Sequence, residues 1–170
     1  DRLLSPLGVM VRPAMIRRTL RRRRIWPSRE ACFVHYRAKP VFAAWSDDSL
    51  WAYVEAGTRM RPDDGTVELV YPPEWEAHIY ATVPTDVWQA IPRLRLPVLI
   101  IRGARSETFL PASLQRIARL LPHTRTLVVP DAGHLVPMER PEVVGEAVLS
   151  FLSEGVDVVG ADSQARMVAS

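Results

Sequence analysis

Residues 97–137 read PVLIIRGARSETFLPASLQRIARLLPHTRTLVVPDAGHLVP, and this stretch decides the fold. Pro97 to Gly103 is a short apolar run ended by glycine, the pattern of a buried parallel strand. Pro111 then opens a helix. Leu114, Ile117, Ala118 and Leu121 form its apolar stripe, with Gln115, Arg116 and Arg119 on the wet face. Thr124 to Val129 is a second buried strand. Pro141 starts another helix, with Val144, Ala147, Val148 and Phe151 inward and Gly155 as its stop. Strand, helix, strand and helix in succession imply a right-handed parallel crossover in an α/β sheet. Two parallel strands do not make a stable sheet by themselves, so residues 91–154 are expected to be part of a larger core.

Upstream the pattern changes. Residues 1–13 have no period and form an unassigned lead-in. Residues 14–24 predict a basic helix. A second helix is expected from the N-cap Ser28 to about Arg37, with Pro40 ending it. Asp47 and Asp48 are expected to cap a third, with Leu50, Tyr53, Val54 and Gly57 at helical spacing. Arg61-Pro62-Asp63-Asp64-Gly65 is a turn, Thr66–Tyr71 an alternating strand, and Pro72-Pro73 the start of a short helix with Trp75 and Ile79 on one face. Residues 14–90 therefore read as a helical unit with little sheet, in which Trp45, Trp51 and Trp75 pack. Residues 155–170 are expected to be a flexible tail.

The chain has 170 residues, 48% hydrophobic and 24% charged, which excludes collagen, coiled coil and wholesale disorder. No apolar run approaches the ~18 residues of a membrane-spanning helix. Cys32 is the only cysteine, which forbids an internal disulfide or a cysteine-based zinc site and points to a reducing, cytoplasmic setting. The basicity is local: RRTLRRRR at 17–24 holds six arginines, and without them the net charge of +3 becomes −3. No nucleic-acid module accompanies the run, so a solvated helix face is expected rather than a nucleic-acid site.

Two loops follow the carboxyl ends of the inferred strands, where ligands bind in open α/β sheets. They are Gly103–Phe109 and Asp131–Pro137. They are expected to bring Glu107 beside His134. A carboxylate that accepts from one imidazole nitrogen fixes the tautomer and leaves the other nitrogen free to take a proton from a nucleophile. Gly133 permits a close backbone approach just before the histidine. His35, His78 and His123 lack such a partner pattern and read as residues of the surface or of the 14–90 helical unit.

The stretch PVLIIRGARSETFLP…TLVVPDAGHLVPMERPEVVGEAVLSFL resembles the C-terminal part of α/β-hydrolases, in the AGH followed by a proline-led helix and in the order acid, then histidine. The resemblance implies an eight-stranded, mostly parallel sheet with a lid. Residues 14–90, where an arginine-rich helix precedes a W-x-S-R-E segment, resemble the helical cap. By resemblance His134 is the catalytic histidine. Many relatives carry an aspartate three places after the glycine of the first loop, where this chain has Ser106. Others read G-x-x-S-D, which puts Glu107 in the acid's role, four places before Pro111. Asp131 is the rival, on the histidine's own loop. Leu135, Val136 and the cap are expected to shape a pocket for a small apolar substrate, with no metal or organic cofactor.

The nucleophile elbow G-x-S-x-G is missing. None of the eight glycines is followed two places later by serine or cysteine, and the flanks of Ser106 cannot form the elbow. The chain is therefore expected to be the second half of such a hydrolase, inactive without the N-terminal half. A serine there implies ester cleavage, and an aspartate implies epoxide or haloalkane hydrolysis. The alternative is a non-catalytic pseudoenzyme or interaction module with an arginine patch for an anionic partner.

Overall fold

The computed structural model describes the backbone of residues 3–4, 10–11, 13–82, 84 and 86–168, and the side chains of 13–82, 84 and 86–154. Most of the lead-in expected at 1–13 lies outside the described residues. There β1 (Leu3–Leu4) pairs antiparallel with β2 (Met10–Val11). The chain divides into two units, Asp1–Val87 and Trp88–Ser170.

In the first unit, α1 (Pro13–Leu20), α2 (Arg29–Arg37), α3 (Asp47–Gly57) and α4 (Pro73–Ala81) surround a small aromatic core. Ser28 caps α2 as expected, its Oγ accepting from the Ala31 N–H at 3.3 Å. The cap of α3 is Ser46, which accepts from the Ser49 N–H at 3.1 Å. Asp47 and Asp48 fall in the first turn, where they complement the helix dipole. Tyr36 lies edge-on to Trp26 at 5.6 Å and packs on Phe42 at 5.0 Å, with Trp45 edge-on to Phe42 at 4.9 Å. Trp45 is buried, whereas Trp75 is 65% exposed, contrary to the expectation that it packs. Helix α4 turns Pro73 and Ala77 inward, so Trp75 and Ile79 share the opposite, wet face.

The unit also holds more sheet than its sequence suggests. β4 (Thr58–Met60) and β5 (Val67–Leu69) form a hairpin across the expected 61–65 turn, closed by Gly65 at φ +70°. β3 (Ile25–Trp26) adds to the other side of β5.

Part of the arginine run is neutralised within the unit. Arg22 grips Glu76 through both carboxylate oxygens, and the Tyr80 hydroxyl donates to the same carboxylate at 2.9 Å. Arg24 pairs with Glu74 at 3.5 Å. These pairs tie the segment after α1 to α4.

Cys32 is fully buried, and burial pushes its thiol up to about 11 despite Lys39 and Arg23 nearby. The thiolate is the reactive species. In the native chain at pH 8, Cys32 is expected not to react with Ellman's reagent over minutes, and to react at once in denaturant. Equal rates in the two conditions would contradict its burial.

The second unit carries the α/β motif. After a short helix α5 (Val87–Ala90) and a 3-10 turn come β6 (Val98–Gly103), α6 (Pro111–Leu120), β7 (Thr124–Val129), α7 (Val136–Glu139) and α8 (Pro141–Val168). β6 and β7 pair in parallel with Val98 opposite Thr124 and Gly103 opposite Val129. Of the stripe on α6, Leu114 is buried and Ile117 and Ala118 half-buried, and Leu121 just beyond the helix is buried. Val129, Ala132 and Val136 form a buried cluster covered by Ile101, Leu127 and Val144.

Three expectations fail here for physical reasons. The strands read as buried are half-exposed at Val98–Ile101, and Val128 is exposed, because this sheet is only two strands wide among the described residues. Val148 of α8 is exposed, together with Leu149 and Leu152. The helix also runs through Gly155 to Val168 rather than stopping there, so most of the expected flexible tail is helical. A single glycine costs a helix only about 1 kcal/mol. No helix among the described residues is long and apolar enough to cross a membrane.

Candidate active site

The parallel register of β6 and β7 ends both strands at one edge, and their loops meet there. The Ala104 N–H donates to Val129 O and the Arg105 N–H to Ala132 O, both at 2.9 Å. This stitching requires Gly103, where a Cβ would overlap the carbonyl oxygens of Gly133 and Ala132.

Arg102 locks the first loop from below. It is 5% exposed, and its guanidinium donates to the carbonyls of Phe109 at 2.6 Å, Ser106 at 3.1 Å and Ala104 at 3.2 Å. A planar fork of five N–H donors can hold three carbonyls at once, which a lysine cannot. Ser106 completes the turn: its N–H donates to Gly103 O at 3.0 Å, and its Oγ accepts from the Phe109 N–H at 3.1 Å. Those bonds direct residue 106 inward.

The second loop carries His134. Asp131 adopts φ 54°, a left-handed conformation that aspartate tolerates better than most residues. Its side chain is exposed, and its carbonyl accepts from Arg105 and Arg140. The Gly133 N–H donates to Glu139 Oε2 at 2.6 Å, which fixes the backbone immediately before the histidine.

The two loops bring Ser106 Oγ to 3.2 Å from His134 Nδ1. The sequence reading assigned that seat to Glu107. Glu107 is exposed, and among the described residues it makes no hydrogen bond with His134. One residue of register separates the inward from the outward side chain in so tight a turn. Asp131, the rival acid, makes none with His134 either. Val136 is 4% exposed and packed in the buried cluster, while Leu135 is half-exposed at the same edge.

Ser106 and Glu139 are the site residues that sequence reading undervalued. For Ser106 the available signal was its place three after Gly103. For Glu139 no local pattern announced a bond back to Gly133.

The model of the alpha/beta hydrolase family matches residues 2–147. This chain belongs to the alpha/beta hydrolase family. Among curated proteins, this hydrolase chain is 29% identical over 97 residues to the carboxylesterase YbfK of Bacillus subtilis, a match over 52% of this chain and 33% of that one. Among solved structures, it superposes on E-2-(acetamidomethylene)succinate hydrolase with a TM-score of 0.66 at 24% identity, covering 82% of this chain and 51% of that one. With the peroxisomal hydrolase Lpx1 of Saccharomyces cerevisiae the TM-score is 0.71 at 18% identity, over 92% of this chain and 41% of that one. These likenesses show the fold. The chain thus spans about half or less of the length of these hydrolases.

Proposed function

We propose that this chain supplies the cap and the histidine-bearing loops of an α/β-hydrolase that cleaves an ester or related bond in a small apolar substrate. The observation that carries the reading is His134, held at Nδ1 at the carboxyl edge of a parallel sheet, where it stands exposed. Among the described residues no hydrogen bond engages its Nε2. An upstream nucleophile would attack the substrate, and His134 would take its proton and return it to the leaving group. A serine nucleophile makes the reaction ester hydrolysis, and an aspartate makes it epoxide or haloalkane hydrolysis. Leu135 would line the substrate's approach. Glu107 would add negative charge from the loop's outer side. A reducing, cytoplasmic setting fits the single buried Cys32.

The half-exposed apolar strands and the lack of a G-x-S-x-G support a nucleophile supplied from outside these 170 residues. The chain by itself is then expected to hydrolyse p-nitrophenyl esters no faster than its His134→Ala variant, since loss of a nucleophile costs orders of magnitude. A clear rate that falls with His134→Ala would contradict this.

A further inference from the structure

We propose that Ser106 occupies the acid's seat as a positioning residue and donates its hydroxyl proton to His134 Nδ1, so that the resting imidazole carries its own proton on Nε2. The inference rests on the reading of His134 as the histidine of the site.

The hydrogen-bond inventory leads there. A serine hydroxyl has one proton and two lone pairs. One lone pair of Ser106 Oγ is taken by the Phe109 N–H at 3.1 Å. The proton remains, and among the described residues His134 Nδ1, at 3.2 Å, is the acceptor within reach. Ser106 is 6% exposed, so water competes poorly for that proton. Donation to Nδ1 requires a bare Nδ1, and a neutral imidazole then bears its hydrogen on Nε2.

A carboxylate in the same seat can only accept, and so imposes the opposite tautomer. The difference bears on chemistry. An imidazole with hydrogen on Nε2 offers a donor to whatever reaches the sheet edge and cannot take a nucleophile's proton there. To act as a base, His134 must first move its hydrogen to Nδ1 while the Ser106 hydroxyl rotates to accept it. In a serine protease the wrong tautomer costs about 10⁴-fold in kcat. Ser106 thus sets how often the histidine is competent, without touching substrate.

The test is long-range proton–nitrogen NMR of the whole chain labelled with [15N]histidine, at about pH 9, where an ordinary imidazole is neutral. His134 is assigned by its loss in His134→Gln. The expected wild-type spectrum has a protonated Nε2 and a bare Nδ1 for His134. Ser106→Asp is expected to exchange the two patterns. A wild-type proton on Nδ1, or a tautomer unmoved by Ser106→Asp, would overturn the proposal.

If Ser106→Asp does not fold, Ser106→Thr and Ser106→Ala decide. The threonine is expected to keep the wild-type Nδ1 frequency and the alanine to shift it to that of a free imidazole. An unshifted Nδ1 in the alanine variant would also overturn it. The readout needs no turnover, so its failure is separate from a failure of the hydrolase reading, which shows only as turnover indifferent to His134 once the chain is joined to sequence that supplies the nucleophile.

Discussion

Gly103→Ala is expected to lower the stability of the second unit by about 3 kcal/mol and to pull the two loops of the site apart. The new methyl group meets backbone, the carbonyl oxygens of Gly133 and Ala132, rather than the tip of a mobile side chain. Backbone cannot move aside without breaking the Ala104–Val129 and Arg105–Ala132 hydrogen bonds that join the loops. The variant should therefore lose amide-exchange protection at Ala104 and Arg105, besides showing a lower urea midpoint. Gly145→Ala is the control. Nothing lies within 4 Å of its added Cβ, and it sits inside α8. There the exchange of glycine for a better helix former should raise stability by about 0.5–1 kcal/mol. Equal effects of the two variants would mean that the loops do not approach as closely as described.

Much of this site was legible from sequence because it sits at the ends of regular elements. The run Val98–Gly103, the stripe from Leu114 to Leu121 and the strand Thr124–Val129 each carry one period, and prolines mark the helix starts. The family resemblance rests on these same residues, and the match over residues 2–147 agrees with it. What sequence could not resolve is which residue of Ser106 and Glu107 faces the histidine. Periodicity ends at Gly103. Beyond it the direction of each side chain depends on the Ser106–Gly103 turn, on the Phe109 N–H and on three carbonyls gathered by Arg102. These are specific bonds between groups that carry no propensity signal.

The same holds in the first unit. The hairpin β4–β5 follows from the turn at Gly65, yet its extension by Ile25–Trp26 comes from pairing distant in sequence. Trp75 and Ile79 do share a helix face, but spacing alone does not say whether that face is inside. The arginine run shows the converse. Its charge count points to a solvated helix face, and Glu74 and Glu76 on α4 answer two of its arginines.

His134 is proposed to transfer the proton for a nucleophile supplied from outside these residues. The measurement that reaches it most directly is the kcat for p-nitrophenyl ester hydrolysis by the chain joined to upstream coding sequence that supplies the nucleophile elbow, with and without His134→Gln. A substitution that removes the base but not the binding surface lowers kcat with little change in KM. His134→Gln is expected to cost about 10³-fold or more in kcat, by analogy with triad knock-outs. Glu107→Gln, on the exposed side of its loop, is expected to cost less than about tenfold, because exposed charges interact weakly through water. A folded His134→Gln protein that turns over ester at the parent's rate would contradict the account.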